Sequence, residues 1–188
     1  MTDEVETFVS WLREESVRLR NAPVEDAAEG IAERLEQIDS RLGIELAKEP
    51  ESGEMDLIVT AYSNEALFAI VRDLTSRLVP LPGWRVTALK PARGFDFDIS
   101  FGKHTVRASE LRWRELADVP HGFALIAPQQ SSIDIPSGSD GEELAWLVVE
   151  TGLGEELASR IEHLEFSRTG QARSLPIESL TSRLQRLR

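Results

Sequence analysis

Apolar positions along the chain change period several times, and each change marks an element. Val5, Phe8, Val9, Leu12 and Leu19 recur at helical spacing with Arg13, Glu14, Glu15 and Arg20 between them, which predicts an amphipathic helix. Asn21-Ala22-Pro23 interrupts it, and the proline suits the first turn of a second helix striped by Val24, Ala27, Ala28, Ile31, Leu35, Ile38 and Leu42. Gly43 is expected to end that helix. Residues 1–43 therefore read as an antiparallel helical hairpin. Glu25, Asp26 and Glu29 near the start of the second helix suit the positive end of its macrodipole.

Residues 44–47 and 55–61 are strand candidates on either side of the turn Pro50-Glu51-Ser52-Gly53. Ala61-Tyr62-Ser63-Asn64 then caps a helix whose buried stripe is Leu67, Ile70, Val71, Leu74 and Leu78, with Phe68 beside it. Pro80-Leu81-Pro82-Gly83 turns the chain into a strand starting at Trp84, and Lys90-Pro91-Ala92-Arg93-Gly94 breaks that strand. Phe95, Phe97, Ile99 and Phe101 alternate with polar residues and share one face. Gly102-Lys103 predicts a hairpin turn into residues 104–108. Residues 111–116 fit a strand or a helix. Residues 121–127 read as a buried strand, and residues 129–139 as a polar surface loop.

Asp140 and Glu143 have the spacing of a capping box, opening a helix with Leu144, Leu147, Val148 and Thr151 as its stripe and Gly152 as its stop. Residues 161–166 look like a closing strand. Pro176 opens a short basic amphipathic helix carrying Ile177, Leu180, Leu184 and Leu187. Over 55–166 the order is strand, helix, strand, hairpin, strand, helix, strand. Two split strand-helix-strand units in that order predict an α+β fold, a ferredoxin-like sandwich widened by an extra β-hairpin. Both helices would cover one face of one continuous sheet. The expected domains are the helical hairpin at 1–43, the ferredoxin-like body at 44–167 and a basic helical tail at 168–188.

Composition narrows the function classes. The net charge is −12, which opposes a phosphate backbone and argues against general nucleic-acid binding. Residues 1–54 hold 15 acids against 6 bases, whereas residues 168–188 hold 1 acid against 5 bases. A basic tail on an acidic body predicts that the tail docks on its own chain. There is no cysteine, which excludes disulfides and thiolate chemistry and fits a reducing compartment. The acidic N-terminal residues and the lack of a long apolar run lead to the expectation of a cytoplasmic protein with no membrane contact.

Ala61-Tyr62-Ser63-Asn64-Glu65-Ala66-Leu67-Phe68, the stretch from Leu81-Pro82-Gly83-Trp84 to Leu89-Lys90-Pro91, and Glu150-Thr151-Gly152-Leu153-Gly154-Glu155 together resemble an uncharacterised bacterial protein family, a domain of unknown function. The resemblance covers about the central half of the chain. It implies a fold similar to that of the small ferredoxin-like proteins that resemble the regulator B of ribonuclease E. It implies no catalytic or binding residue.

Reactive motifs are scarce. Gly152-Leu153-Gly154 follows a predicted helix and has Leu157 where a dinucleotide fingerprint needs its third glycine. His104, His121 and His163 form no linear zinc motif, and no metal or cofactor is expected. Asp96, Asp98, Glu155 and Glu156 supply carboxylates for acid–base work, but paired acids are ordinary in so acidic a chain. Lys90 and Arg93 flank Pro91 next to Gly94 and suit a small anion-binding loop. The ligand-binding set that follows is Lys90, Arg93, His121 and Glu155. Four tryptophans stand against a single tyrosine; Trp84 fits the core, while Trp11 and Trp113 lie among charges and are the expected contact residues, with Arg183 and Arg186 of the tail.

These features favour a non-enzymatic interaction or regulatory protein that binds a protein partner or itself. One version is an immunity-like or inhibitor protein whose acidic surface masks a basic partner. The rival is an enzyme or small-anion binder with a pocket beside the loop at 90–95.

Overall fold

The computed structural model describes residues 2–102, 104–127, 138–167 and 173–187. Most of the loop expected at 129–139 and the start of the tail at 168–172 lie outside these residues. The chain divides into two compact units, Met1–Lys90 and Pro91–Arg188. Each is a mixture of helices and sheet with its own apolar cluster. Among the described residues, no helix is long and apolar enough to cross a membrane.

The first unit opens with α1 (Thr2–Asn21) and α2 (Val24–Glu36), joined through Ala22 and Pro23. Pro23 is the N-cap of α2, where its missing N–H costs nothing. Then come β1 (Gly43–Lys48), β2 (Met55–Thr60), α3 (Phe68–Leu78) and β3 (Trp84–Ala88). β1 and β2 form the expected hairpin, Gly43 opposite Thr60 through Lys48 opposite Met55. Its turn is closed by Gly53 N–H donating to the Glu49 carbonyl at 2.9 Å, and Gly53 has a φ of 68°. β3 returns parallel to β2. Met55, Leu57, Val59 and Ala61 all face one cluster with Leu12, Ile31, Leu35, Val71 and Leu74, so the two-residue period of β2 meets the helical stripes of α1, α2 and α3 on one side.

The second unit holds β4 (Asp98–Phe101) paired with β5 (His104–Arg107), and a four-stranded sheet of order β8-β7-β6-β9. Here β6 is Arg112–Glu115, β7 Gly122–Ile126, β8 His163–Ser167 and β9 Leu175–Pro176. α4 (Ser139–Leu153) and α5 (Glu155–Ala158) connect β7 to β8, and α6 (Ser179–Gln185) follows β9. β6 and β7 are antiparallel and β8 is parallel to β7. Hairpin, helix and parallel strand thus recur in both units.

This arrangement differs from the single widened sheet read from the sequence. The strands form three sheets of three, two and four strands among the described residues. The boundary falls after Lys90 rather than at 43 and 167, because the apolar faces close locally. No member of the first cluster lies beyond Leu89, and none of the second precedes Phe95. The helical hairpin belongs to the first core through Leu12, Ile31 and Leu35. The basic tail belongs to the second, with Ile177, Leu180 and Leu184 all 0% exposed.

Three local expectations also change. Gly43 starts β1 instead of ending α2, and a Cβ there would stand 2.2 Å from the Tyr62 hydroxyl oxygen. α4 starts after Gly138 with no side-chain cap, so Asp140 and Glu143 form no capping box. α4 runs through Gly152 to Leu153, and Gly154, with φ 73°, is its C-cap.

Candidate functional site

Two places in the fold gather unsatisfied chemistry, one in each unit. In the first, α2 buries Ala27, Ile31 and Leu35 and turns Glu25, Glu29, Glu33 and Glu36 outward, all exposed. Their spacing of four, four and three residues places them in one stripe opposite the buried one. None of the four makes an ion pair among the described residues, whereas arginine–carboxylate pairs form elsewhere in the unit: Arg41 with Asp39 at 2.7 Å, Arg77 with Asp73 at 2.9 Å and Arg85 with Asp56 at 2.8 Å. The sequence reading took Glu25 and Glu29 as dipole partners only; Glu33 and Glu36 lie too far along α2 for that role.

On the flank of the same helical pair, Trp11 is half-buried. Its ring lies 6.0 Å from that of Phe8, and the Arg34 guanidinium sits 5.1 Å above its centre. An arginine held on an indole face is a cation–π contact, and it fixes the ring between α1 and α2. Trp11 is thus in a position to act as a contact residue.

The anion-loop residues fall in different units. Lys90 ends the first, where its ammonium lies 3.1 Å from Glu45 and 5.3 Å from the Tyr62 ring centre. Its side chain is only 15% exposed, so it braces the strand ends and already has its counter-ion. Arg93 belongs to the second unit, where its amide donates to the Thr151 carbonyl at 3.0 Å, and its own contacts leave it engaged. Glu155 is 0% exposed at the start of α5 and is likewise engaged.

His121 lies elsewhere in the second unit, in the connection between β6 and β7. That connection is tight: Leu116 N–H donates to the Gly122 carbonyl at 2.9 Å and Gly122 N–H to the Val119 carbonyl at 3.0 Å. His121 takes a φ of 50°, uncommon for a side chain with a Cβ, while its carbonyl accepts the Glu162 N–H at 3.1 Å. The concave side of this connection and the end of α6 enclose a cavity of about 410 Å³. Phe123, Val119 and Leu187 give it apolar walls, and Glu115, Asp118, His121 and Arg183 give it polar ones. Arg93 and Glu155 do not line it.

Arg183 reaches this cavity from α6 and is fixed there by its Nε, which donates to the Glu115 carboxylate. The tail therefore docks through a base on an acid, as the charge distribution predicts. Arg186 is exposed at the end of α6. Trp113, expected as a contact residue, is 3% exposed. Its Nε1–H donates to Ser179 Oγ at 2.9 Å and its ring packs 5.7 Å from Phe123. The correction has a simple cause, since the charged neighbours Arg112, Arg114 and Glu115 alternate with it or end its strand.

His163 is exposed at the start of β8. Among the described residues, no group of three or more His, Asp or Glu side chains is placed to hold a metal ion. Asp118 and Arg34 are the residues that the sequence reading missed. Neither belongs to a motif; only the folded positions of a loop acid and a helical arginine reveal them.

No protein-family model, curated protein or solved structure matches this chain. The class that the fold and these sites define is a mixed α+β protein of two compact units, with an acidic helical face on one and a small mixed cavity on the other.

Proposed function

We propose that this chain is a non-enzymatic interaction protein that binds a basic protein partner through α1 and α2 of its first unit. The observation that carries this reading is the stripe Glu25, Glu29, Glu33 and Glu36, exposed and without ion pairs among the described residues. Like charges four residues apart weaken a helix by about 0.2–0.5 kcal/mol per pair. Keeping two such pairs and a third at three residues on one face, when the same chain pairs its acids elsewhere, fits a surface whose counter-charges come from outside. The half-buried Trp11 with Arg34 on its face, on the α1 side of the same helical pair, is the kind of residue pair enriched in protein contacts. Electrostatic complementarity of this kind steers and selects a partner, as in an immunity-like or inhibitor protein. The sign of the face disfavours nucleic acid.

The test is affinity capture on the immobilised full chain from a lysate of its host, run beside a variant with all four glutamates changed to glutamine. Basic proteins retained by the wild-type chain at low salt, released as salt rises and absent from the variant support the reading, provided circular dichroism shows the variant folded. An identical set of retained proteins on both chains overturns it.

A further inference from the structure

The first sheet ends in an unpaired strand at the position where the second sheet carries one more. We infer that the outer edge of β1 takes up an extended segment of a basic protein, added antiparallel as a fourth strand, with apolar residues against Ile44 and Leu46 and lysine or arginine between them. The site is separate from the acidic face of α2, so either can fail without the other.

The two sheets share one plan. β1, β2 and β3 lie in the same order as β6, β7 and β8, each set an antiparallel hairpin followed by a parallel strand. Beyond β6 the second sheet has β9, antiparallel to it. The Leu116 N–H bonds Gly122 of β7, so by alternation Leu111 and Trp113 turn their backbone groups away from β7. There the Ile177 N–H donates to the Leu111 carbonyl at 3.2 Å, and Leu175 stands opposite Trp113. The added segment thus brings apolar residues to every second position, and Ile177 joins Leu111 and Trp113 in the second cluster.

The corresponding edge of β1 is set up in the same way. Glu49 N–H donates to the Glu54 carbonyl at 2.8 Å, so along this ladder Gly43, Glu45 and Ala47 bond β2, while Ile44, Leu46 and Lys48 turn N–H and C=O outward. Among the described residues no strand pairs with that edge, and no group bonds the outward backbone of Ile44 or Leu46. Their side chains are half-buried against the first cluster. Edge strands are ordinarily protected by a proline, a bulge or a guarding lysine. β1 holds no proline, and its register against β2 is unbroken from Gly43 to Lys48. Its one lysine is held elsewhere, Lys48 Nζ donating to the Arg20 carbonyl at 2.8 Å.

Charge chooses the occupant. Glu45, Ala47 and Glu49 share the side of the edge away from the core, and Glu49 is exposed with no ion pair among the described residues. Residues 43–54 hold four acids, Glu45, Glu49, Glu51 and Glu54, against the single base Lys48. A second copy would set this acidic edge against its like, which is unfavourable between neighbouring strands. A strand with bases on that side is attracted, and the pleat then requires bases and apolar residues to alternate along it.

The experiment is a titration of the isotope-labelled full chain with the peptide acetyl-Lys-Val-Lys-Val-Lys-Val-Lys-amide, followed by the amide resonances and hydrogen exchange of residues 43–49. The peptide is expected to shift these resonances and to slow exchange at Ile44 and Leu46. In the proposed geometry the valine N–H groups face β1 and the lysine N–H groups face away. N-methylation of the valines therefore weakens binding about tenfold or more, N-methylation of the lysines leaves it nearly unchanged, and glutamate in place of the lysines weakens it as well. Leu46→Pro removes an outward N–H at an edge position where proline is tolerated, and lowers affinity in a chain that circular dichroism shows folded; if it does not fold, the methylated peptides carry the test on the wild-type chain. Equal binding of the two methylated peptides, which leaves charge attraction alone, overturns the inference, as does no shift at 43–49 with millimolar peptide. Dimerisation of the free chain by light scattering, with the Ile44 and Leu46 amides protected, gives the edge to a second copy and overturns it too.

Discussion

The ring of Phe95 lies on the backbone of Gly152, so close that a Cβ at Gly152 would stand 2.2 Å from Phe95 Cε1. Phe95 is 5% exposed and belongs to the second core. The adjoining backbone is tied as well, Gly94 N–H donating to the Gly152 carbonyl at 3.1 Å. The glycine, in the last turn of α4, is there to admit an aromatic ring and is not the helix's C-cap.

Two opposing effects decide what Gly152→Ala does. Alanine favours a helix over glycine by about 1 kcal/mol, while overpacking a filled core costs about 1–3 kcal/mol. The ring is buried and cannot swing out, so the variant is expected to be less stable by up to about 2 kcal/mol in urea denaturation. In a Phe95→Ala background the clash is gone and the same substitution should stabilise. A double-mutant cycle that finds no coupling between the two positions would refute the contact.

The two tryptophans read as contacts from the sequence should separate cleanly. Trp113→Ala removes a buried ring and the Nε1–H bond to Ser179, for an expected loss of about 3–5 kcal/mol. Trp11 is half-buried and stacked under Arg34, so Trp11→Ala should cost clearly less in stability while reducing capture of a basic partner. Denaturation and capture measured on both variants check the pairing of effects.

Stability should depend on pH through Asp39. Its side-chain hydrogen bond from Arg41 and the Arg41 amide hold the carboxyl down to about 2 from an ordinary 3.8. A carboxyl depressed in the folded state stabilises above its unfolded value, and that contribution is lost as pH falls towards the folded one. Asp39→Asn is therefore expected to be less stable than wild type at neutral pH, with the difference shrinking between about pH 4 and pH 2. Thermal melts across that range provide the measurement. A difference that stays constant to pH 2 would exclude the linkage.

The acidic stripe on α2 should show a trade between stability and binding. Glu29 has a like charge four residues away on each side, at Glu25 and Glu33. Glu29 is the sixth residue of α2 and lies past the first turn, where the macrodipole would favour it, so Glu29→Gln should raise stability by about 0.2–0.5 kcal/mol for each of those pairs, while lowering affinity for a basic partner. A variant that loses stability would show that these charges serve the fold instead.

Much of the local structure was legible in the pattern of residues. The stripes of α1, α2 and α3, the hairpin at Pro50-Glu51-Ser52-Gly53 and the alternation of Phe97, Ile99 and Phe101 all follow from period and turn chemistry, which act over a few residues. The candidate site was less legible. His121 and Arg183 were singled out separately, by residue type and by tail charge, and the fold brings them to one cavity. Asp118 gave no signal, because an acid in a loop looks the same in sequence whether or not it borders a cavity. Lys90 and Arg93, three positions apart, went to different units.

What the amino-acid order determined by itself is therefore the set of elements and the apolar face each one carries, since periodicity fixes which side of a helix or strand must avoid water. It also determined the acidic body and the basic tail, because net charge is a property of composition. Only the tertiary structure decided which strands pair. Two hairpin, helix and strand sets can share one sheet or make two, and a strand's own residues are equally satisfied by either. The choice went to separate sheets, with α1 and α2 closing the core of one set and β4, β5 and α6 packing into that of the other.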